Sequence, residues 1–116
     1  MSDIKASAKG CLPAAQKASL SSMVGYQPGS VVSRTVVSEN AGTVTVFAFD
    51  EGEGLSEHSA PFDALLFVLE GEATVGIAGE ESHLKEGDVI ILPAGKPHSV
   101  RAPARLKMLL TMLRPK

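Results

Sequence analysis

The sequence is short of several things that proteins use to announce themselves. It has a single cysteine, Cys11, so no internal disulfide can form, and a reducing compartment, the cytoplasm, is expected. There is no tryptophan, and the aromatic side chains are Tyr26, Phe47, Phe49, Phe62 and Phe67. Stacking on bases or sugars is therefore not an expected theme. Lysine and arginine number 11 against 13 acidic residues, and they are scattered. A nucleic-acid footprint needs a clustered basic face, so no nucleic-acid partner is expected. No apolar run reaches membrane-spanning length, and the first residues carry no hydrophobic signal core, so no membrane partner is expected either. After residue 25 no segment of useful length has helical periodicity, and no internal repeat or low-complexity tract is visible.

What the chain does have is period-two patterning. Its 116 residues are enough for one domain with one core. Residues 1–18 are small and polar and read as a loose tail. Ala14 to Met23 allows a short helical turn or two, and Pro28-Gly29 ends it. Ser30 to Ser38 is rich in valine and reads as a strand. Thr43 to Phe49 alternates, with Val44, Val46 and Ala48 on one face and Thr43, Thr45, Phe47 and Phe49 on the other. Both faces suit burial, inside a barrel or against a partner subunit. Further strands are expected at 55–60, 65–69, 73–78, 81–85, 89–92, 99–101 and 106–113, with a turn at Glu70-Gly71. Many short strands punctuated by glycine and proline indicate an all-β sandwich or barrel. The expected division is 1–29 as tail and short helix or turn, and 30–116 as the barrel.

The densest signal is residues 87–98. Gly87-Asp88 is a turn, Val89 to Leu92 a short buried strand, and Pro93-Ala94-Gly95-Lys96-Pro97 a second turn that no helix or central strand accommodates. His98 follows at once, held by a proline-stiffened turn. Gly87, Pro93, Gly95 and His98 resemble the second motif of the cupin family, and Gly52, His58 and Gly71 resemble parts of its first. In the first motif Ala60 stands where a second histidine is usual, and Ala64 where a glutamate is usual. Ala102 replaces the usual closing asparagine of the second motif. The resemblance covers roughly residues 30–113. It implies an all-β double-stranded β-helix, a small jelly-roll barrel, with the motif histidines at its mouth and a short irregular or helical N-terminal segment. It also implies a homodimer in which N-terminal strands pair across subunits, with Ser30 to Ser38 the natural edge.

Metal-binding cupins hold one divalent cation with three histidines and a glutamate. Nitrogen and carboxylate donors with open positions suit iron, manganese, nickel or zinc. Only His58 and His98 remain of that set, so no metal is the expectation unless Asp63 turns inward to complete it. By strand alternation Asp63 faces away from Ala64, and Glu57 points outward beside His58. His83 reads as a surface residue, Glu70 as a turn residue, and Lys96 and Arg101 as solvated strand-end cations. Three roles stay open for His58 and His98. They bind a small molecule in the mouth, with Ala60, Phe62, Ala64, Phe67 and Met108 lining the pocket. They serve an enzyme, either with a reduced metal set or as the acid and base of a metal-free isomerase. Or they belong to a structural or sensory barrel without ligand, which a pocket filled by Phe62, Phe67 and Met108 would favour. Small-molecule binding is the leading expectation, and whether the chain is an enzyme stays open.

Overall fold

A computed structural model describes residues 4–6 and 11–114. Among these residues nine strands follow in chain order: β1 (Ile4–Ala6), β2 (Val31–Glu39), β3 (Gly42–Phe49), β4 (Gly54–His58), β5 (Ala64–Ile77), β6 (Glu80–Lys85), β7 (Val89–Leu92), β8 (His98–Arg101) and β9 (Leu106–Leu113). The only helical element among the described residues is one 3-10 turn, Leu20–Met23. The all-β jelly roll expected from the sequence is borne out.

One strand organises the rest. The apolar run Leu65–Leu69 and the segment from Ala73 are not two strands, as expected, but one 14-residue strand, β5. Its first half pairs with β7 and β9, and its second half with β6 and β8. The sequence of neighbours is therefore β1-β2-β3-β9-β5 in a long half and β5-β8-β4 in a short half, with β6 and β7 added to β5. The expected break at Glu70-Gly71 is instead the corner where the sheet folds over itself. A register shift falls between Val68 and Glu70, and Gly71 adopts φ +79°, which only glycine adopts cheaply. The strand turns there without losing its ladder to β9.

Strand alternation then fills the interior. Phe49, Leu66, Val68, Leu106 and Met108 from the long half meet Ala73, Val75, Leu84 and Val100 from the short half. Phe47 and Phe49 stack with ring centroids 5.9 Å apart. Burying each large side chain of this kind contributes about 1.5–3 kcal/mol.

The other face of β3 is also buried. Val46 and Ala48 lie with Val36 under Leu12, Leu20, Met23, Val24 and Tyr26. What covers this face is the chain's own N-terminal segment. The tail expected to lie loose also reaches the outer edge of β2: Ile4–Ala6 pairs in parallel with Val31–Ser33, and Leu12 N–H donates to the Val36 carbonyl at 3.0 Å. An edge strand presents unpaired backbone groups, which is the physical reason for chain to settle there. No helix among the described residues is long and apolar enough to cross a membrane.

Candidate functional site

Two crossings between the halves lie at one end of the barrel. Residues 59–63 join β4 to β5, and residues 93–97 join β7 to β8. They are tied together. Gly95 N–H donates to the Ala60 carbonyl at 2.8 Å, and Ala94 N–H donates to Asp63 Oδ1 at 2.8 Å. This lip carries His58 and His98 on the short half, and Ala64 and Leu92 on the long half.

His58 reaches the inner face through an irregularity. From Leu55 to His58 is a step of three residues, against a step of two from Val100 to His98 on β8. In a regular strand an odd step would put His58 on the face opposite Leu55. A bulge absorbs the extra residue, and His58 becomes the direct partner of His98. Their rings meet edge to face, with centroids 4.5 Å apart and planes at 72°.

The two imidazoles have different surroundings. His58 is exposed, and its Nδ1 lies 2.9 Å from the Ser56 carbonyl. A carbonyl only accepts, so Nδ1 donates there and Nε2 is the nitrogen left for other partners. His98 is only 5% exposed, and its Nδ1 is buried with no hydrogen-bond partner. Burial, and secondarily the neighbouring His58, push the His98 pKa down, while the Lys96 backbone carbonyl pulls weakly the other way. Both causes favour the neutral form of His98. The Lys96 carbonyl, two residues back along the chain as Ser56 is from His58, is the polar group that faces the buried ring, although Nδ1 makes no well-formed hydrogen bond.

A second atom in the same condition is Thr43 Oγ1, on the inner face of β3. The third, Arg34 Nε, pairs in register with Val46 and lies on the outer face, under the N-terminal segment.

The other expected site residues fall elsewhere. Asp63 does not join the histidines, because its carboxylate accepts from Ala94 N–H at the lip. Among the described residues, no three histidines, cysteines or carboxylates come together as metal ligands. With Ala60 and Ala64 in place of the other two donors, the residues present do not fit the four-ligand centre that the resemblance implies. Ala64 and Met108 are core residues, 6% and 0% exposed. Phe67 is a correction. It alternates with Leu66 and Val68, which face the core, and its partners are Leu109 and Val89, so it lies on the outer face and lines no mouth. Phe62 is half-buried at the lip, in a depression of about 310 Å³ with Pro61, Asp63, Ala94, Leu113 and Arg114. Of the three side chains named as possible fillers, only Met108 fills the interior. A larger depression, about 390 Å³, lies along Gly52–Ser56, Val100 and Arg101 and is not lined by either histidine.

His83 is exposed as expected, with Nδ1 3.1 Å from Thr74 Oγ1. Glu70 is more than the turn residue expected. It accepts from Ser21 Oγ at 2.8 Å and Tyr26 Oη at 3.1 Å, with Lys107 Nζ 3.9 Å away. Burial, reinforced by the Glu70 hydrogen bond, pushes the Tyr26 phenol up to about 12. Arg105 and Lys107 sit 5.0 and 5.1 Å from the centroid of the Tyr26 ring. This cluster pins the N-terminal segment to the outer face, away from the mouth.

Comparison with known proteins agrees with this architecture. Over 70 residues the chain is 31% identical to the tetracenomycin polyketide synthase protein TcmJ of Streptomyces glaucescens, a match covering 56% of this chain and 47% of that protein. The chain thus spans about half the length of that relative. A conserved protein of unknown function from Streptococcus pyogenes superimposes with a TM-score of 0.85 at 32% identity, covering 95% of this chain and 99% of the other. A cupin superfamily protein from Desulfitobacterium hafniense gives 0.83 at 29% identity, covering 90% and 95%. The cupin domain model matches residues 45–112, and the chain belongs to the cupin family.

Proposed function

We propose that this protein binds a small molecule at the barrel mouth, with His58 and His98 as its polar contacts. The observation that carries the reading is the contact at the lip between the buried ring of His98 and the exposed ring of His58. Two imidazoles on an otherwise apolar inner wall are the convergent polar groups a binding site needs. Below them Met108, Leu66 and Phe47 fill the barrel, so the ligand sits in the mouth and does not penetrate. The likeness to a polyketide synthase protein agrees with a ligand whose carbon skeleton carries neutral oxygens.

The test is a thermal-shift screen of uncharged, oxygenated metabolites on wild type, His58→Ala and His98→Ala. A compound that raises Tm in wild type and not in His98→Ala supports the reading, since stabilisation reports binding to the native state. Hits that stabilise both variants as well as wild type overturn it. A metal-free acid–base isomerase is the second reading. It is favoured by the edge-to-face contact between the buried His98 and the solvent-exposed His58, which puts two titratable rings side by side at the lip. It predicts turnover lost in either histidine variant.

A homodimer belongs to the same proposal, though not through the expected edge at Ser30 to Ser38, which the chain's own Ile4–Ala6 and Leu12 already pair. Val89 and Ile91 on β7 are 54% and 51% exposed, and a second copy is the partner proposed for them. Ile91→Glu then yields a monomer in size exclusion, where wild type runs as a dimer.

A further inference from the structure

We infer that the second copy packs sheet against sheet on the outer face of the long half, with β9 and β5 at the centre of the contact. The inference rests on the homodimer reading above and names the surface and the mode of packing. Among the described residues the exposed large apolar side chains are Val37, Val89, Ile91 and Leu113. They come from β2, β7 and β9, and register puts all four on one face. Val37, Val44, Thr111, Leu65 and Ile91 form a row across β2, β3, β9, β5 and β7. Val46, Leu109, Phe67 and Val89 form the next row. Leu113 stands two residues beyond Thr111 on the same side of β9. Leu66, Leu92 and Met108, on the alternate positions, fill the barrel core, so this face points away from it. The N-terminal segment covers Val36, Val46 and Ala48 at the β2–β3 side and leaves Val89, Ile91 and Leu113 in water.

β7 pairs only with β5 among the described strands, so it is also an edge to which a second copy can add. Edge pairing joins backbones in the plane of the sheet. It covers nothing on β9 or β2, which lie further across the sheet, beyond β5. Face-to-face packing covers all four side chains at once, at the spacing of about 10 Å usual for stacked sheets. From Val44 to Ile91 the face is roughly 20 Å wide, and from Phe67 to Leu113 about as long, a footprint on the order of 400 Å². Apolar patches of about 300–600 Å² are the largest that monomers carry and often mark contacts. With a polar rim, such a patch is the centre of an interface of about 800 Å² per partner. Within the two rows the only charged residue is Arg34, beside Val46 under the N-terminal segment, while Glu39, Asp63 and Arg114 border Leu113. An uncharged face meets its own copy without like-charge repulsion, and a strongly charged partner finds nothing on these rows to pair with. Leu113 also lines the depression at the lip with Phe62 and Asp63, so a copy seated on this face borders the lip.

The experiment is sedimentation equilibrium of the full chain over a concentration series, for wild type, Ile91→Glu, Leu113→Glu and Thr111→Lys. Lys85→Glu, on the outer face of the short half, is the control for a changed surface charge. Leu113 is 57% exposed and its replacement leaves the core intact, while Thr111→Lys probes the middle of the face should Leu113→Glu fold poorly. Circular dichroism melts confirm that each variant is folded. Wild type is expected to be a dimer. Leu113→Glu and Thr111→Lys each place two like charges in the contact and should raise the dimer Kd by more than about tenfold, as Ile91→Glu does, with Lys85→Glu unchanged. If Ile91→Glu dissociates and Leu113→Glu and Thr111→Lys pair as tightly as wild type, the copies meet along the β7 edge. That result overturns the face-to-face inference and leaves the homodimer standing. A dimer indifferent to all three substitutions overturns the inference too, and places the contact elsewhere. A wild type that stays monomeric throughout overturns the homodimer reading and the inference together.

Discussion

Replacing Gly71 by alanine tests the corner on which the whole mouth depends. At φ +79° an L side chain is strained by about 1–2 kcal/mol. Space makes matters worse. A Cβ built on Gly71 overlaps the Arg105 carbonyl oxygen, and lies 2.9 Å from the Arg105 carbonyl carbon and 3.2 Å from Leu106 Cα. All three atoms are backbone, so no rotamer change relieves the contact, and the β5–β9 ladder must shift. Overpacking of this kind costs about 1–3 kcal/mol. The control is Gly79→Ala. Gly79 has φ +88°, and its Cβ would meet nothing within 4 Å, so only the conformational strain applies. Both substitutions restrict the unfolded chain equally, and that effect cancels in the comparison. Gly71→Ala should therefore be less stable than Gly79→Ala by about 1–3 kcal/mol, a difference in Tm of roughly 4–15 °C for a domain of this size. Urea unfolding followed by circular dichroism gives the free energies directly. Equal losses in the two variants would refute the claim that close backbone approach fixes the corner.

Other substitutions probe the mouth and its supports. Ala78 has φ +51° and precedes Gly79 in the two-residue β5–β6 turn, a pair of positive angles that favours Asn-Gly, so Ala78→Asn should raise stability by about 0.5–1 kcal/mol, read as a higher urea midpoint. His98, depressed below its ordinary value near 6.5, contributes stability that is complete above that pH. As pH falls toward the folded value the unfolded chain takes up a proton that the folded one refuses, so stability is lost, and His98→Gln should show a flatter dependence in urea melts between pH 7 and 5. Asp63→Ala leaves Ala94 N–H unpaired at an exposed site and should cost about 1 kcal/mol, with faster amide exchange confined to residues 93–97. Asp63→Asn retains an acceptor oxygen and should behave nearly as wild type, whereas a role for Asp63 as an acid or metal ligand predicts that asparagine is as damaging as alanine.

The fold was legible because its signals are local. Alternation in Thr43 to Phe49 assigned both faces of β3 correctly, and glycine and proline marked most of the strand ends. The motif residues Gly87, Pro93, Gly95 and His98 placed the lip turn. What failed was non-local. Glu70-Gly71 reads as a turn, and nothing within those two residues says that β9 continues to pair across them. Phe67 reads as a pocket residue only if its alternation with Leu66, which puts it on the other face, is overlooked. Glu70 gained its partners from Ser21 and Tyr26, more than forty residues upstream, which no local pattern connects. Alternation puts Thr43 on the same face as Phe47 and Phe49, without saying which face is the inner one. Its missing hydrogen bond became visible only when its neighbours were in place.

His58 shows most clearly how the site goes beyond the pattern. Strict alternation from Leu55 would have turned it outward, and only a bulge in β4 makes it the partner of His98. That bulge matters because of the alanines. In a site with four ligands a cation neutralises the carboxylate and holds the imidazoles, and burial of His98 could be offset by coordination. Here no third donor is grouped with the pair among the described residues, and the carboxylate nearest in sequence is bound to Ala94 N–H. Burial then favours the neutral form of His98, opposed only by the Lys96 carbonyl. With Ala60 and Ala64 at two of the four positions, the strands still bring His58 and His98 together, and the proposed binding of a small molecule is what that pair is left to serve.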